Sequence, residues 1–151
     1  MKTLKQHIFE KLRVTKGNTT KHTLFPKSKD ELKQMVKHEI SKNGNECSLN
    51  HIDVSRITDM VSLFYDSKFN GDISEWNVSN VEHMDGMFDS SKFNGDISDW
   101  DVSNVKTMKD MFLASKFTGN ISNWDVSNVK DMTYMFNSSP LENNPPKWYK
   151  E

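Results

Sequence analysis

The sequence has one cysteine, Cys47, in 151 residues. A single thiol cannot form an intramolecular disulfide or a cysteine-rich zinc site. The N-terminal segment MKTLKQHIFEKLRVTKG lacks the apolar run and the small-residue cleavage site of a secretory signal. No stretch approaches the roughly 18 apolar residues that a membrane span requires. We therefore expect a chain that is cytoplasmic or associated with an assembly, unless another route exports it.

Sequence signatures of catalysis are also missing. The five histidines share no spacing, and the chain has neither a phosphate-binding loop nor a G-x-S-x-G motif. The repeated carboxylates occupy equivalent positions, whereas a catalytic acid/base pair needs two different environments. We predict a protein that is not an enzyme and that uses no cofactor and no metal.

Charge is nearly balanced overall but unevenly distributed. The net charge is −1, which gives no global attraction to nucleic acid. Residues 1–50 carry eleven Lys/Arg and five Asp/Glu, a net charge of 11 − 5 = +6, and residues 51–151 carry nine and sixteen, a net charge of 9 − 16 = −7. A basic N-terminal third therefore precedes an acidic body.

The dominant feature is an internal repeat of 24 residues. All four tryptophans of the chain follow this step: Trp76, Trp100, Trp124 and Trp148. The phrase FNGDISEWNVSN from Phe69 returns as FNGDISDWDVSN from Phe93 and as FTGNISNWDVSN from Phe117. Burying one apolar side chain gains roughly 1.5–3 kcal/mol, while ordering each residue costs roughly 1–2 kcal/mol of backbone entropy. In a single repeat the entropy cost of ordering the backbone exceeds the gain from burying its apolar side chains, so the repeats must stack.

Each repeat combines three local patterns. The alternation Trp76-Asn77-Val78 predicts a short strand with its apolar side inward. The segment SNVEHMDGMF has apolar residues at steps of three, which favours a helical turn or a 3₁₀ segment. The polar DSSKFNGD is typical of a turn that leads into the next repeat.

The spacing I-x-x-W-x-V-x-x-V is similar to the strand motif of leucine-rich repeats. Over residues 46–137, approximately, the repeat resembles the BspA-like leucine-rich-repeat surface proteins, which include many mycoplasma and gut-bacterial surface lipoproteins. The resemblance implies binding or adhesion as the usual role. It also implies the fold class that we predict: a repeat solenoid of right-handed, leucine-rich-repeat-like coils, with a parallel sheet of short strands, short helical or 3₁₀ segments and an N-terminal helical cap.

We divide the chain into three parts. Residues 1–23 form an N-terminal segment with a possible amphipathic helix and a linker, residues 24–45 a capping helix, and residues 46–151 the solenoid with a C-terminal cap from about residue 138. The helix is predicted from Lys29 to Lys42, because Ser28 is a suitable N-cap, Glu31 completes a capping box and Gly44 suits the C-terminal stop. For the N-terminal segment three alternatives remain open: packing on the capping helix, docking to a partner, or lying on a membrane surface.

The residue between Trp and Val in each strand is predicted to point away from the core. These residues are Asn77, Asp101 and Asp125, and Asp53, between Ile52 and Val54, has the equivalent position in a degenerate first repeat. Two explanations compete for the row of carboxylates: it binds a cation or a basic partner, or each side chain bonds locally within a turn. The candidate binding surface comprises Glu75, Asn77, Ser79, Asp99, Asp101, Ser103, Asn123, Asp125 and Ser127. Asn80, Asn104 and Asn128 are expected to point inward and to bond backbone groups of neighbouring repeats, and the tryptophans are expected to form a core ladder.

We therefore predict a monomeric, non-enzymatic binding module that contacts a protein partner through an acidic strand face. The alternative is a structural or accessory component of a larger assembly, such as a cell envelope or a virion, anchored by its N-terminal segment. The sequence predicts neither a nucleic-acid partner nor a membrane span.

Overall fold

The structure is a computed structural model that describes residues 21–151. The possible amphipathic helix near the N-terminus, with its three alternatives, lies outside the described residues, and so does most of the segment proposed to anchor the chain. Among residues 21–151 no helix is both long and apolar enough to cross a membrane.

The predicted helix, α1, spans Lys29–Asn43. Ser28 is its N-cap, because the Ser28 hydroxyl oxygen accepts the N–H of Glu31 at 3.2 Å. The Glu31 carboxylate in turn accepts the N–H of Lys27 at 2.7 Å, one residue before the position that the capping box predicts. At the other end Gly44 has a φ of 89° and donates its N–H to Ile40. Leu32 and Val36 are buried against the first repeat, so α1 covers the N-terminal end of the core.

The repeats form four consecutive coils, which we number 1 to 4: residues 45–68, 69–92, 93–116 and 117–140. Backbone N–H groups in one coil donate to carbonyls 23 residues further along the chain, as from Met84 to Thr107 and from Phe88 to Met111. Isolated parallel bridges join Asp59, His83, Thr107 and Asp131 in one row across all four coils. Residues 24 apart in sequence therefore lie next to each other in space.

The segment predicted as helical or 3₁₀ consists instead of overlapping β-turns. In coil 1 the N–H groups of Leu63, Tyr65 and Ser67 each donate to the carbonyl three residues earlier. Every coil has two residues with positive φ in this segment. They are Ser62, Gly86, Asp110 and Tyr134 at the first position and Asp66, Ser90, Ala114 and Ser138 at the second. Such turns direct alternate N–H groups toward the next coil, which a helix does not do.

The predicted strand at residues 76–78 is not present. These residues lie between two turns, closed by bonds from Trp76 to Ile73 and from Val81 to Val78. The row of parallel bridges that crosses all four coils lies about five residues later, at His83 and its equivalents. Two further parallel bridges join Leu24 to Ile52 and Ser48 to Asp72. The described residues contain no extended strand, so the predicted solenoid class with its parallel sheet and right-handed coils stays a prediction.

The core is a continuous stack of aromatic and methionine side chains. Phe88 contacts Phe64 and Phe112 in parallel stacks, with ring centroids 5.6 and 5.5 Å apart. Trp76, Trp100 and Trp124 are 4% exposed, and Trp148 is partly buried. Each indole N–H donates to a carbonyl 27 residues earlier: Trp76 to Leu49, Trp100 to Ile73, Trp124 to Ile97 and Trp148 to Ile121, at 2.9–3.1 Å.

Asp53 differs from the prediction, because it is buried and 4% exposed. Residues 23 and 24 lie along coil 1 at this point: the Thr23 N–H donates to the His51 carbonyl, and the Asp53 N–H donates to the Leu24 carbonyl at 2.8 Å. The chain that precedes α1 therefore covers the position that remains exposed in coils 2 to 4.

Candidate binding surface

The polar face, as we define it, consists of the outward side chains of residues 72–80, 96–104 and 120–128. It includes all nine residues of the predicted surface, although the face is built from turns rather than strands. Six of the nine are exposed: Asn77, Asp99, Asp101, Asn123, Asp125 and Ser127. The other three, Glu75, Ser79 and Ser103, are half-buried.

Two of the three exposed acidic residues, Asp101 and Asp125, close local turns. Asp101 Oδ1 accepts the Ser103 N–H at 3.0 Å and the Ser103 hydroxyl at 2.6 Å. Asn77 accepts the same two bonds from Ser79 through its amide oxygen. Local bonding, the second of the two explanations for the carboxylate row, is therefore what the structure shows. Because both bonds to Asp101 end on Oδ1, its Oδ2 has no hydrogen-bond partner among the described residues.

A second row of identical turns begins each segment of the polar face. Asp96 Oδ1 accepts the N–H and the hydroxyl of Ser98. The pairs Asp72–Ser74 and Asn120–Ser122 repeat this geometry. The repeated spacing D/N-x-S is the sequence signal for these side-chain bonds, since Asp, Asn and Ser close such turns through their side chains.

These hydrogen bonds keep the face negatively charged. The Ser103 side chain and backbone N–H lower the pKa of Asp101, and the Ser98 groups lower the pKa of Asp96 in the same way. The nearby carboxylate of Asp125 raises the pKa of Asp101, but it is the weakest of the four influences on that group. Ser127 lowers the pKa of Asp125. Local donors thus offset the repulsion that a row of carboxylates creates.

The three segments of the polar face are held in line by asparagine side chains. Asn80, Asn104 and Asn128 donate through Nδ2 to the carbonyls of Ser55, Ser79 and Ser103, respectively, at 2.6–2.7 Å. Each bond links one coil to the preceding coil, as predicted, but the asparagines are exposed rather than inward.

Charge is segregated on this face. The three segments contain six carboxylates and no Lys or Arg: Asp72, Glu75, Asp96, Asp99, Asp101 and Asp125. Lysines instead follow in the next part of each coil, where Lys106 pairs with Glu82 at 2.8 Å. Within residues 21–151 no three His, Cys, Asp or Glu side chains converge so that they could hold a metal ion.

One carboxylate of the face is less accessible than the others. The Glu75 side chain is half-buried, and its Oε2 atom is covered without a hydrogen-bond partner. The Glu75 N–H is held by Asn50 Oδ1 at 3.0 Å, across the boundary between coils 1 and 2. Glu75 therefore contributes charge at the edge of the face rather than a free binding group.

Comparison with known proteins places the chain in a family. Neither the curated proteins nor the solved structures contain a match. A family model described as "Mycoplasma protein of unknown function, DUF285" matches residues 30–148, which include all of α1 except Lys29, all four coils and Trp148. The chain therefore belongs to the DUF285 family.

Proposed function

We propose that the chain is a non-enzymatic binding module and that its polar face binds a basic or amide-rich surface of a partner protein. We further propose that its coils form a leucine-rich-repeat-like, right-handed solenoid of the BspA-like type, in which adhesion and protein binding are the usual roles. The family match is consistent with this type but by itself identifies no function.

The observation that carries the proposal is the segregation of charge on the polar face. Six carboxylates without a lysine or arginine among them create a negative potential that attracts a basic partner and speeds its association. The lowered pKa values of Asp96, Asp101 and Asp125 keep these groups ionised at neutral pH. The free Oδ2 of Asp101 can accept a hydrogen bond from an incoming Lys, Arg or amide group without opening the turn.

The test compares two substitutions at the same positions. Asp101→Asn with Asp125→Asn removes both charges and keeps the turns, because Asn77 and Asn120 already close equivalent turns. Asp101→Lys with Asp125→Lys reverses the charges. We expect affinity for a captured partner to fall about two- to thirtyfold with the Asn pair, at roughly 0.2–1 kcal/mol for each exposed charge pair, and to be lost with the Lys pair.

Lys116→Glu is the matched control, since Lys116 is exposed and lies outside the polar face. The partner should be captured with the full chain. Its affinity for the natural chain and for each variant is then measured by calorimetry at several salt concentrations. Unchanged affinity in the Lys pair, with the circular dichroism spectrum intact, would reject the polar face as the binding site.

A further inference from the structure

The chain that precedes α1 joins the stack at the edge of the polar face. Leu24 is connected to Ile52 by a parallel bridge. Ile52 comes 24 residues before Trp76 and has the equivalent position in coil 1. Residues 21–24 therefore run alongside the part of coil 1 that corresponds to residues 73–76 of the polar face.

This stretch already covers one position of the repeated face. The Asp53 N–H donates to the Leu24 carbonyl at 2.8 Å, and Asp53 is only 4% exposed. Its equivalents in coils 2 to 4 are exposed: Asn77, Asp101 and Asp125. Residues 1–20 are joined directly to this stretch, so their point of attachment lies at the coil-1 edge of the polar face.

Residues 1–20 carry a charge opposite to that of the polar face. They contain five Lys/Arg and one Glu, a net charge of 5 − 1 = +4. The polar face contains six carboxylates and no Lys or Arg. A basic segment tethered beside an acidic surface is attracted by the field of that surface and is also held at a high effective concentration near it.

The six carboxylates of the face have no cationic partner among residues 21–151. Lysines in this part of the chain pair instead with Asp59 at 3.4 Å and with Glu82 at 2.8 Å, and both acids lie outside the face. The turns of Asp101 and Asp125 engage only the Oδ1 atom of each carboxylate. The second oxygen of each group can therefore accept a lysine or arginine while the turn stays closed.

The length of residues 1–20 is sufficient to cross the face. Neighbouring coils are about 5 Å apart, as in a parallel sheet, so coil 4 lies about 15 Å from coil 1. Twenty residues span about 30 Å as a helix and about 66 Å when fully extended. The basic side chains can therefore reach the carboxylates of all three segments in either conformation.

We propose that residues 1–20 bind the polar face of their own chain through pairs of Lys/Arg with carboxylates, and that they compete there with the partner protein. The competition rests on the proposed function of the face, whereas the contact itself requires no partner and is tested without one. A tethered segment of this kind lowers the apparent affinity of the face for any other basic surface.

A carbodiimide detects the contact in the full chain, because it condenses a carboxylate with an amine only where the two groups meet. We expect amide links, identified by mass spectrometry, from the lysines of residues 1–20 to Asp99, Asp101 and Asp125. A mixture of unlabelled and nitrogen-15-labelled protein should give links within one chain only. Links confined to carboxylates outside the polar face overturn the site. Links that join labelled to unlabelled chains place the contact between two copies and overturn it within one chain.

Reversal of charge tests the electrostatic basis of the contact. Lys11→Glu with Lys16→Glu should lower the yield of links from the other lysines of the segment about two- to thirtyfold, as expected for two exposed charge pairs. Lys33→Glu with Lys37→Glu is the matched control, because it changes the net charge equally on the exposed side of α1. The control should keep the yield of the natural chain, and an equal loss in both variants overturns the proposal.

A compensating reversal tests the site. Asp101→Lys with Asp125→Lys, added to Lys11→Glu with Lys16→Glu, should restore the contact with amine and carboxylate exchanged between the segment and the face. The new links should therefore join positions 11 and 16 to positions 101 and 125. Their absence overturns the polar face as the surface that the segment binds.

Competition is measured with a free peptide that has the sequence of residues 1–20, MKTLKQHIFEKLRVTKGNTT. Its Kd for the natural chain is compared with its Kd for a chain whose five Lys/Arg in this segment are replaced by Gln. With an effective concentration on the order of 1 mM and an intrinsic Kd of about 0.1 mM, the natural chain should bind the peptide about tenfold more weakly. Equal affinities overturn the competition.

The contact and the proposed function fail in different ways. Links that form as expected, together with partner binding that no change of the polar face alters, reject the proposed function and leave the contact established. Missing links, together with partner binding that charge reversal on the face abolishes, overturn the contact and leave the proposed function supported.

Discussion

At the scale of single residues, each tryptophan both fills the core and ties two coils together. The indole ring of Trp100 stacks on Trp76 with centroids 6.5 Å apart, and its N–H donates to the carbonyl of Ile73. That carbonyl also accepts the backbone N–H of Trp76, so the indole N–H adds a second hydrogen bond to it. A large apolar residue without a donor could not supply this bond between coils, which explains why the position favours tryptophan. The sequence predicted a core position from the spacing, but the partner carbonyl became visible only in the folded chain.

We predict that Trp100→Phe destabilises the protein by about 0.5–1.5 kcal/mol from the lost indole hydrogen bond, with a further loss from the smaller ring. Urea unfolding followed by circular dichroism measures this change. Trp148→Phe is the control, because Trp148 is only partly buried at the end of the stack. Equal losses for the two variants would contradict this explanation.

At the scale of elements, the helix was predictable and the turn segment was not. Ser28, Glu31 and Gly44 are local signals that act within a few residues, so α1 ends within one residue of its predicted boundary. The turns require positive φ at Ala114 and Tyr134, residue types that do not favour it. Bonds between coils stabilise this backbone, and such long-range bonds leave no mark on the local pattern of polar and apolar residues.

We predict that Leu32→Ala destabilises the protein by about 2–5 kcal/mol. Leu32 is fully buried between α1 and coil 1, and its removal leaves a cavity at the open end of the core. Gln34→Ala, on the exposed side of the same helix, should change the free energy of unfolding by less than about 0.5 kcal/mol. Chemical denaturation of both variants tests the capping role, and similar small effects would show that α1 does not seal the core.

At the scale of the whole molecule, the aspartates that accept hydrogen bonds from serine or threonine determine how the free energy of unfolding changes with pH. Hydrogen bonds from serine or threonine lower the pKa of Asp96, Asp101, Asp125 and Asp131 in the folded state. Burial raises the pKa of Asp72, but the bonds from Ser74 and Asn50 together outweigh it and lower the pKa overall. The pKa of Asp110 shifts in the opposite direction, because burial and neighbouring carboxylates raise it. The unfolded chain therefore binds more protons than the folded chain near pH 4.

We predict that the stabilisation from these aspartates is complete above about pH 4, the usual Asp range, and is lost as the pH falls through their lower folded-state values. Urea midpoints at pH 7, 4.5 and 3 should therefore decrease most in the last step. Asp101→Asn with Asp125→Asn should flatten this dependence and lower the midpoint at pH 7 slightly, because asparagine closes the same turn with neutral rather than charge-assisted hydrogen bonds. A midpoint that is constant down to pH 3 would refute the linkage.

The sequence by itself determined the 24-residue period, the identity of the core residues, the helical cap and the candidate binding residues. These properties follow from side-chain chemistry repeated at a fixed step, which remains readable without coordinates. Only the tertiary structure decided which backbone groups bond between coils and that Asp53 is buried by residues 23 and 24. These outcomes depend on contacts between residues far apart in the chain, and such contacts are settled by the stacking of whole coils.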